Sequence, residues 1–436
     1  MKKLRIETYG CQMNVADSEV VASILSPYYT VTDSLREADL ILLNTCSVRD
    51  NAEQRIRKRL RELASLKKKN KNLLIGLLGC MAERIKEQLL EEEKALDFIA
   101  GPDAYRSLPQ LIEEASLGNI SFNVHLSEKE TYDDIEPVRY DSNGISAFIA
   151  IMRGCNNFCS YCVVPYTRGR ERSRDPKTIM EEAQNLFEKG FREITLLGQN
   201  VNSYCWKEAE KSMDFADLVE EIAQISPLLR IRYATSHPKD ISDKLLFVMA
   251  KHPNVCHYIH LPVQSGSNEM LKKMNRVYTR EYYLERIRKI KEVLPDCAIS
   301  TDVIAGFCGE TEQDHQDTLA LMKEVGYEYA FMFKYSVREG TKAAEKFEDD
   351  ISEELKIKRL EEIIALQQQL SLESNKRDIG KTVTVLVEGI SKRSDQHLFG
   401  RNPQNKVCVF PKKSYKIGDY VEVRITRCTA GTLLGD

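Results

Sequence analysis

Three cysteines fall within eight positions in "MRGCNNFCSYCVVPYTRGRERSR", the stretch from Met152 to Arg174. Thiolates bind soft metals, and a close pair can exchange disulfides. A thioredoxin-type pair needs only C-x-x-C and leaves Cys155 without a part. A structural zinc site takes four protein ligands, and no histidine lies nearby to complete this one. A cubane iron–sulfur cluster on Cys155, Cys159 and Cys162 keeps one iron free of protein, and that iron can bind a substrate or cofactor. Three thiolates with no fourth ligand are what an open-site cluster requires.

Three more cysteines sit at regular intervals. Cys11, Cys46 and Cys80 each end an apolar run: "LRIETYG", "ADLILLN" and "NLLIGLLG". These runs read as buried parallel strands, separated by helical stretches such as "NAEQRIRKRLRELASLKKK". In an open parallel sheet the carboxyl ends of the strands share one edge, where ligands bind at the switch in strand order. Thiols far apart in sequence can therefore meet there. Free cysteine is also a common core residue. Three at the same place in successive units favour a shared ligand.

The fold class is α/β, in three parts. Residues 1–138 form an open parallel sheet domain carrying Cys11, Cys46 and Cys80. The polar stretch "SEKETYDDIEPVRYDSNG" reads as a linker. Residues 139–372 repeat a βα pattern, with strands at "SAFIAIMRG", "REITLLGQN", "LRIRYATS", "CHYIHLPVQSG", "AISTDVIAGF" and "YAFMFKYS". Six such units predict a partial (βα)6 barrel. Gln199, Asn200, Ser236, His237, Gln264, Ser265 and Asp302 stand at or past strand ends, the rim where such barrels do chemistry. The helix "ISEELKIKRLEEIIALQQQLSLES" follows, with Leu360, Ile363, Ile364 and Leu370 as a partial apolar stripe. Residues 375–436 change to short strands between Gly, Asn and Pro, predicting a small antiparallel β-barrel.

Bulk composition agrees. A chain of 436 residues with 42% hydrophobic and 30% charged side chains is globular, with two or three domains expected. The net charge of −3 makes no case for nucleic acid over the whole molecule. From Asn375 onward, however, twelve basic residues face six acidic ones, about +6. Such a tail suits an RNA backbone or simply a solvated surface. "MKKLRIETYG" has no apolar segment of a signal peptide, and no run approaches the ~20 residues of a membrane span. The cytoplasm is therefore expected, where the 12 cysteines stay reduced and clusters of them bind metal or catalyse.

Together these stretches resemble a known family. C-x3-C-x2-C after the first strand of a six-stranded partial barrel resembles the radical S-adenosylmethionine superfamily. "YGCQMNVADSE", "NTCSVRDNAEQR", "LLGCMAER", "LLGQNVNSY", "HLPVQSGSN" and "TDVIAGFCGET" resemble its methylthiotransferases, and the tail is similar to their RNA-binding TRAM domain. Gln12, Met13 and Asn14 after Cys11, with "VVPYTRGRERSR", resemble the branch making 2-methylthio-N6-dimethylallyladenosine next to the tRNA anticodon. The resemblance implies two [4Fe-4S] clusters, one on Cys155, Cys159 and Cys162 with S-adenosylmethionine, and an auxiliary one on Cys11, Cys46 and Cys80. It implies reductive cleavage to a 5′-deoxyadenosyl radical that takes hydrogen from adenine C2, sulfur supplied by the auxiliary cluster, and a methyl group from a second S-adenosylmethionine. Tyr161 is expected near the adenine of the cofactor; Gln199, Asn200, Ser236, Gln264, Asp302 and Arg174 are candidate cofactor contacts.

A flavodoxin or ferredoxin is expected as reductant, the substrate is tRNA carrying N6-dimethylallyladenosine, and the family suggests a monomer. Arg172 and Arg174 suit the cofactor carboxylate or RNA phosphate, or simple solvation. His237 reads equally as an acid–base group or part of a turn. Cys205, Cys256, Cys297, Cys308, Cys408 and Cys428 lack ligand spacing and read as packing residues. Rival substrates are threonylcarbamoyl-adenosine in tRNA and a ribosomal-protein aspartate. A non-catalytic zinc-bearing RNA-binding scaffold is the rival outside catalysis.

Overall fold

Apolar runs one βα unit apart build the amino-terminal sheet of the computed structural model, which describes residues 1–436 apart from Val48, Arg49 and Asp141. Those three, two in "NTCSVRDNAEQR" and one in the expected linker, lie outside the described residues, as do the side chains of 50–52 and 85–88. Strands β1 (Lys2–Thr8), β2 (Tyr29–Val31), β3 (Leu40–Thr45), β4 (Leu74–Gly79), β5 (Phe98–Ala100) and β6 (Ser121–Asn123) pair in parallel, in the order β2-β1-β3-β4-β5-β6. Every residue of β3 is buried, because helices cover both faces of the sheet. The direction of strand order reverses between β1 and β3, and Cys11 and Cys46 follow these two strands. The switch point is where the thiols lie.

The stretch expected as a linker is an ordered strap. Tyr132 is buried, stacks on Tyr105 with centroids 5.6 Å apart, and gives its hydroxyl hydrogen to the Pro102 carbonyl at 3.0 Å. Arg139 reaches Glu19 on one side and Glu182 on the other. An aromatic anchor among polar residues is what composition alone hides.

The central strands are β7 (Ser146–Ala150), β8 (Met152–Arg153), β9 (Arg172–Ser173), β10 (Glu193–Leu197), β11 (Cys205–Glu208), β12 (Lys211–Asp214), β13 (Arg230–Ala234), β14 (Tyr258–His260), β15 (Ala298–Ala305) and β16 (Tyr329–Lys334). β7, β10 and β13 pair in parallel, as do β14, β15 and β16, and an Ile231–Val255 bridge joins the two trios. All six expected barrel strands form. Among the described strands β7 and β16 do not pair, so the barrel stays open. The pair β8–β9 brackets the cysteine loop, and β11–β12 is a hairpin that leaves Cys205 exposed, not packed.

The helix Glu353–Lys376 buries Ile363 with Leu360 and Leu370 against the barrel, yet its inner face is also polar. Gln367 and Ser371 donate to the Tyr327 and Glu328 carbonyls, both at 2.9 Å. Those carbonyls precede the edge strand β16 and would otherwise lack partners. No helix among the described residues is long and apolar enough to cross a membrane.

Strands β17 (Thr382–Ile390), β18 (His397–Arg401), β19 (Val407–Pro411), β20 (Tyr420–Cys428) and β21 (Leu433–Gly435) close the small carboxy-terminal barrel in the order β17-β18-β19-β21-β20. Its pairs are antiparallel except β19–β21. The barrel sits at the foot of the central one, away from the cysteine loops. Arg230 donates to the Arg401 carbonyl at 2.7 Å and Tyr420 to the Leu228 carbonyl at 3.0 Å. Buried Arg232 pairs with Glu193 at 2.8 Å and donates to the Asn402 and Pro403 carbonyls. Arg232→Ala leaves Glu193 without its cation, a change costing about 3–5 kcal/mol. Limited proteolysis of the variant should release the carboxy-terminal barrel under conditions where the parent chain resists; equal digestion would contradict this anchoring.

Candidate functional site

Local chain geometry brings the first three cysteines to one place. Cys11 caps the helix Gln12–Leu25 and Cys80 opens the helix Cys80–Glu92, so both thiols stand at helix amino termini that favour thiolate. Gly10, at φ +147°, has room only for hydrogen, since a Cβ there would lie 2.7 Å from the Cys46 Cβ. Asn14 donates to the Asn44 side chain and the Thr45 carbonyl, both at 3.1 Å, clamping the ends of β1 and β3 together. Cys11 and Cys46 share a hydrogen bond, which with the charge of Arg168 outweighs burial and lowers the Cys11 thiol to about 6. Cys80 moves the other way: burial raises it, although Arg168 counteracts. Cys11 keeps open surface while protein surrounds it closely, the position of a group on a cavity wall.

The second cysteine loop is pinned from outside. Gly154 precedes it at φ +78°, and a Cβ there would lie 1.9 Å from the Arg170 carbonyl oxygen. Cys155 donates its backbone N–H to the Gly169 carbonyl at 3.1 Å. Ser160 donates N–H and Oγ–H to the Met274 and Lys273 carbonyls, and the Asn275 amide holds the carbonyls of Asn157 and Phe158. Arg276 donates to Cys159 Sγ at 3.3 Å. Burial, and the neighbouring Cys159, push Cys155 up to about 11 and raise Cys162 further. Such thiols give up their protons when a metal compensates the charge.

One buried carboxylate joins the two groups. Asp17, on the helix after Cys11, accepts from Arg153 at 2.5 Å and Arg168 at 2.8 Å. Burial acts to raise its pKa, but the two guanidiniums beside it prevail and hold it below the usual range. Arg168 also donates from Nε to Cys80 Sγ at 3.1 Å. Its chain neighbour Gly169 is the residue bonded to Cys155. Two residues thus connect the cysteine groups.

Unpartnered polar atoms gather at the rim. Among the described residues, Gln199 Oε1, Asn200 Oδ1, Ser236 Oγ and His237 Nε2 are buried without a hydrogen-bond partner. These residues end β10 and β13, and buried polar atoms without partners call for a polar ligand. Burial, then the charges of Arg276 and Lys239, drive His237 down to about 2, so its imidazole is neutral. Its Nδ1 accepts from the Lys239 N–H at 3.3 Å, leaving Nε2 as an N–H donor aimed at the gap. Thr235 and Gln264, just past β13 and β14, hold left-handed φ of 73° and 74°. Backbone strain of this kind concentrates at ligand sites.

Comparison with known proteins decides the family. The Radical SAM superfamily matches residues 149–322, the uncharacterized protein family UPF0004 residues 3–101, and the TRAM domain residues 376–436. A tRNA-2-methylthio-N(6)-dimethylallyladenosine synthase of Amoebophilus asiaticus is 56% identical over 448 residues, covering 100% of this chain and 92% of the relative. One of Bacteroides fragilis is 56% identical over 437 residues, covering 100% and 95%. The chain belongs to this synthase family. Among solved structures, the radical S-adenosylmethionine methyltransferase TsrM of Kitasatospora setae, with tryptophan and a cofactor analogue, shares the fold at a TM-score of 0.59 and 14% identity, covering 79% of this chain and 75% of its own. The cobalamin-dependent radical enzyme OxsB aligns at 0.56 and 13%, covering 84% and 56%.

Family membership sharpens the fit of the donor sets. No three His, Cys, Asp or Glu side chains among the described residues gather closely enough to hold one metal ion. A cubane distributes its thiolates over separate irons, so each cysteine triad suits a cluster better than zinc. Of the predicted cofactor contacts, Gln199, Asn200 and Ser236 stand together at the rim. Asn200 also donates to Asp240 at 2.7 Å. Asp302 lies 3.4 Å from His260 Nε2, and Tyr161 packs edge-on to Phe307 at 6.5 Å.

Arg174 is placed elsewhere: it pairs with Glu182 and donates to Thr178 Oγ1 and the Ala150 carbonyl, so its cation serves the fold instead of a cofactor. Arg172 likewise holds Asp103 at 3.0 Å and the Glu130 carbonyl of the strap. The residues missed from sequence are Asp17, Arg153, Arg168 and Arg276. "VADSE" put Asp17 in the helix after Cys11, and that was the one available signal.

Asp17→Asn strands two buried guanidiniums, so midpoints of thermal unfolding should fall by several degrees and iron content with them. In metal-free protein kept anaerobic, iodoacetamide should modify Cys11 half-maximally near pH 6, because the thiolate prevails above its lowered pKa. Cys155 should resist until far higher pH. Mass spectrometry across pH 5–9 reads both, and equal profiles would contradict the assignment.

Proposed function

We propose that this chain is a tRNA methylthiotransferase that modifies C2 of N6-dimethylallyladenosine beside the anticodon, giving 2-methylthio-N6-dimethylallyladenosine. The observation that supports the proposal is the short connection through Arg168 and Gly169 between Cys80 and Cys155, one cysteine of each triad. Cys155, Cys159 and Cys162 would hold one [4Fe-4S] cluster, and Cys11, Cys46 and Cys80 a second. With S-adenosylmethionine bound, the first cluster supplies the one-electron chemistry that breaks a C–H bond no side-chain base can reach.

The chain's own residues do the positioning. Asn200, Ser236 and neutral His237 offer one acceptor, one hydroxyl and one N–H to the polar groups of the cofactor, with Gln199, Gln264, Asp302 and Tyr161 around them. Arg168 and Arg276 donate N–H to one sulfur of each triad and spread its negative charge. Met13 and Ala16 pack on Leu197 over the mouth of the first barrel half and keep water from that side. The basic carboxy-terminal barrel would hold the RNA backbone. A low-potential flavodoxin or ferredoxin would deliver electrons to a monomer working in the cytoplasm. The names of the relatives favour this substrate over threonylcarbamoyl-adenosine or a ribosomal aspartate.

Anaerobically purified protein, given dithionite, S-adenosylmethionine and tRNA bearing the dimethylallyl group, should add one methylthio group to that nucleoside by mass spectrometry. Modification of the threonylcarbamoyl nucleoside alone would overturn the substrate. Cys46→Ala should lose about half the iron and all product while still cleaving S-adenosylmethionine, whereas Cys159→Ala should lose cleavage itself. Retained product in Cys46→Ala would remove the auxiliary cluster from the scheme.

A further inference from the structure

Three aromatic rings stand half-exposed along the edge strand of the barrel. Tyr329, Phe331 and Phe333 alternate along β16 and keep 51, 39 and 40% of their surface exposed. Their strand neighbours do the packing: Ala330 is buried and Met332 joins the core. A half-buried strand usually turns its large rings inward and leaves small residues outside. Here Ala330 and Met332 take the helix-covered side, and the rings share the barrel's inner face with His260 and Asp302; a contiguous half-exposed apolar strip on that face marks a surface that meets a partner.

The strip has chemistry at both ends. Tyr329 and Phe331 meet edge to face at 4.9 Å, and Phe331 meets His260 at 5.6 Å. β16 registers Phe331 beside Asp302, which lies within β15 and not past its end as expected, and His260 accepts or donates to Ser300 Oγ at 2.8 Å. At the other end Tyr329 lines a cavity of about 500 Å³ between the two barrels, together with Tyr258, Gln404, Asn405, Arg401 and Lys406. Aromatic faces, amides and cations thus continue from the basic carboxy-terminal barrel to the rim.

We propose that this ladder is a stacking surface for unpaired nucleotides of the RNA loop, leading the target base to the rim. The inference rests on the tRNA reading above. Nucleobases fit it because each offers a flat π-face to the rings and polar edges to Asp302, Ser300 and His260. These groups already bond one another, and their remaining donor and acceptor positions are met by a base edge but by nothing in an apolar peptide or lipid. The phosphates between the bases meet the excess positive charge of the carboxy-terminal barrel. A base attacked at C2 must leave its stack, and protein aromatics replace the stacking it gives up.

The test uses full-length protein with Trp206, the single tryptophan, replaced by Phe and a reporter placed by Phe331→Trp. An anticodon stem–loop carrying N6-dimethylallyladenosine should quench the reporter saturably, and a fully paired RNA of equal length should not. Tyr329→Leu and Phe331→Leu should each weaken stem–loop binding about 5- to 150-fold, the range expected for losing one stacked base. Binding of S-adenosylmethionine should stay at the parent level. Unchanged RNA affinity in the double Leu variant, a silent reporter, or equal quenching by duplex would overturn the ladder. Parent protein that modifies tRNA while the Leu variants bind it normally refutes the ladder alone. Parent protein that binds and quenches yet forms no product refutes the tRNA substrate reading alone.

Discussion

A carboxylate with no access to water decides how the two halves of this molecule meet. Asp17 lies on a helix of the amino-terminal sheet, and both of its guanidinium partners come from the barrel. Placing three charges in the interior is expensive, and an apolar replacement often yields equal stability. Its use here is geometric. Arg153 sits just before the cysteine loop and Arg168 just after it, so one carboxylate gathers both ends of that loop onto the helix that follows Cys11. Tyr132 of the strap covers the assembly, its ring 4.6 Å from the Arg153 guanidinium. Asp17 thus ties the helix after Cys11 to both ends of the Cys155 loop and, through Arg168, to Cys80.

The same cations answer a second demand. Thiolates are negative, and Cys46, Cys80, Cys155 and Cys159 are buried. Arg168 beside Cys80 and Arg276 beside Cys159 supply compensating charge as directed N–H donors, the means by which a protein would tune clusters held there. The two triads differ in the metal-free state. Helix ends and Arg168 favour the thiolate at Cys11, whereas burial keeps Cys155 protonated.

Much of this was legible beforehand, for physical reasons. Long buried strands such as Leu40–Thr45 announce themselves as unbroken apolar runs, and the local C-x3-C-x2-C spacing is its own signature. Cys11, Cys46 and Cys80 could be grouped because parallel topology puts the ends of strands on one edge. Three-residue strands such as Tyr29–Val31 have no period to detect. Arg168, Arg174 and Arg172 belong to one basic run and look alike in sequence, yet one bonds a cysteine sulfur while the other two brace the fold. Tertiary packing alone separates them. The strap was hidden for the same reason, since one buried tyrosine among acids, serine and proline does not change the composition of a linker.

The thiol at position 80 finds its guanidinium partner 88 residues further along the chain. During synthesis the amino-terminal sheet emerges long before that partner leaves the ribosome. Until then Cys80 lacks the cation that Arg168 supplies. The recess around Cys80 is therefore complete only once the barrel's first loops have been made and folded, so its charge balance is a property of the finished chain and not of the amino-terminal sheet alone.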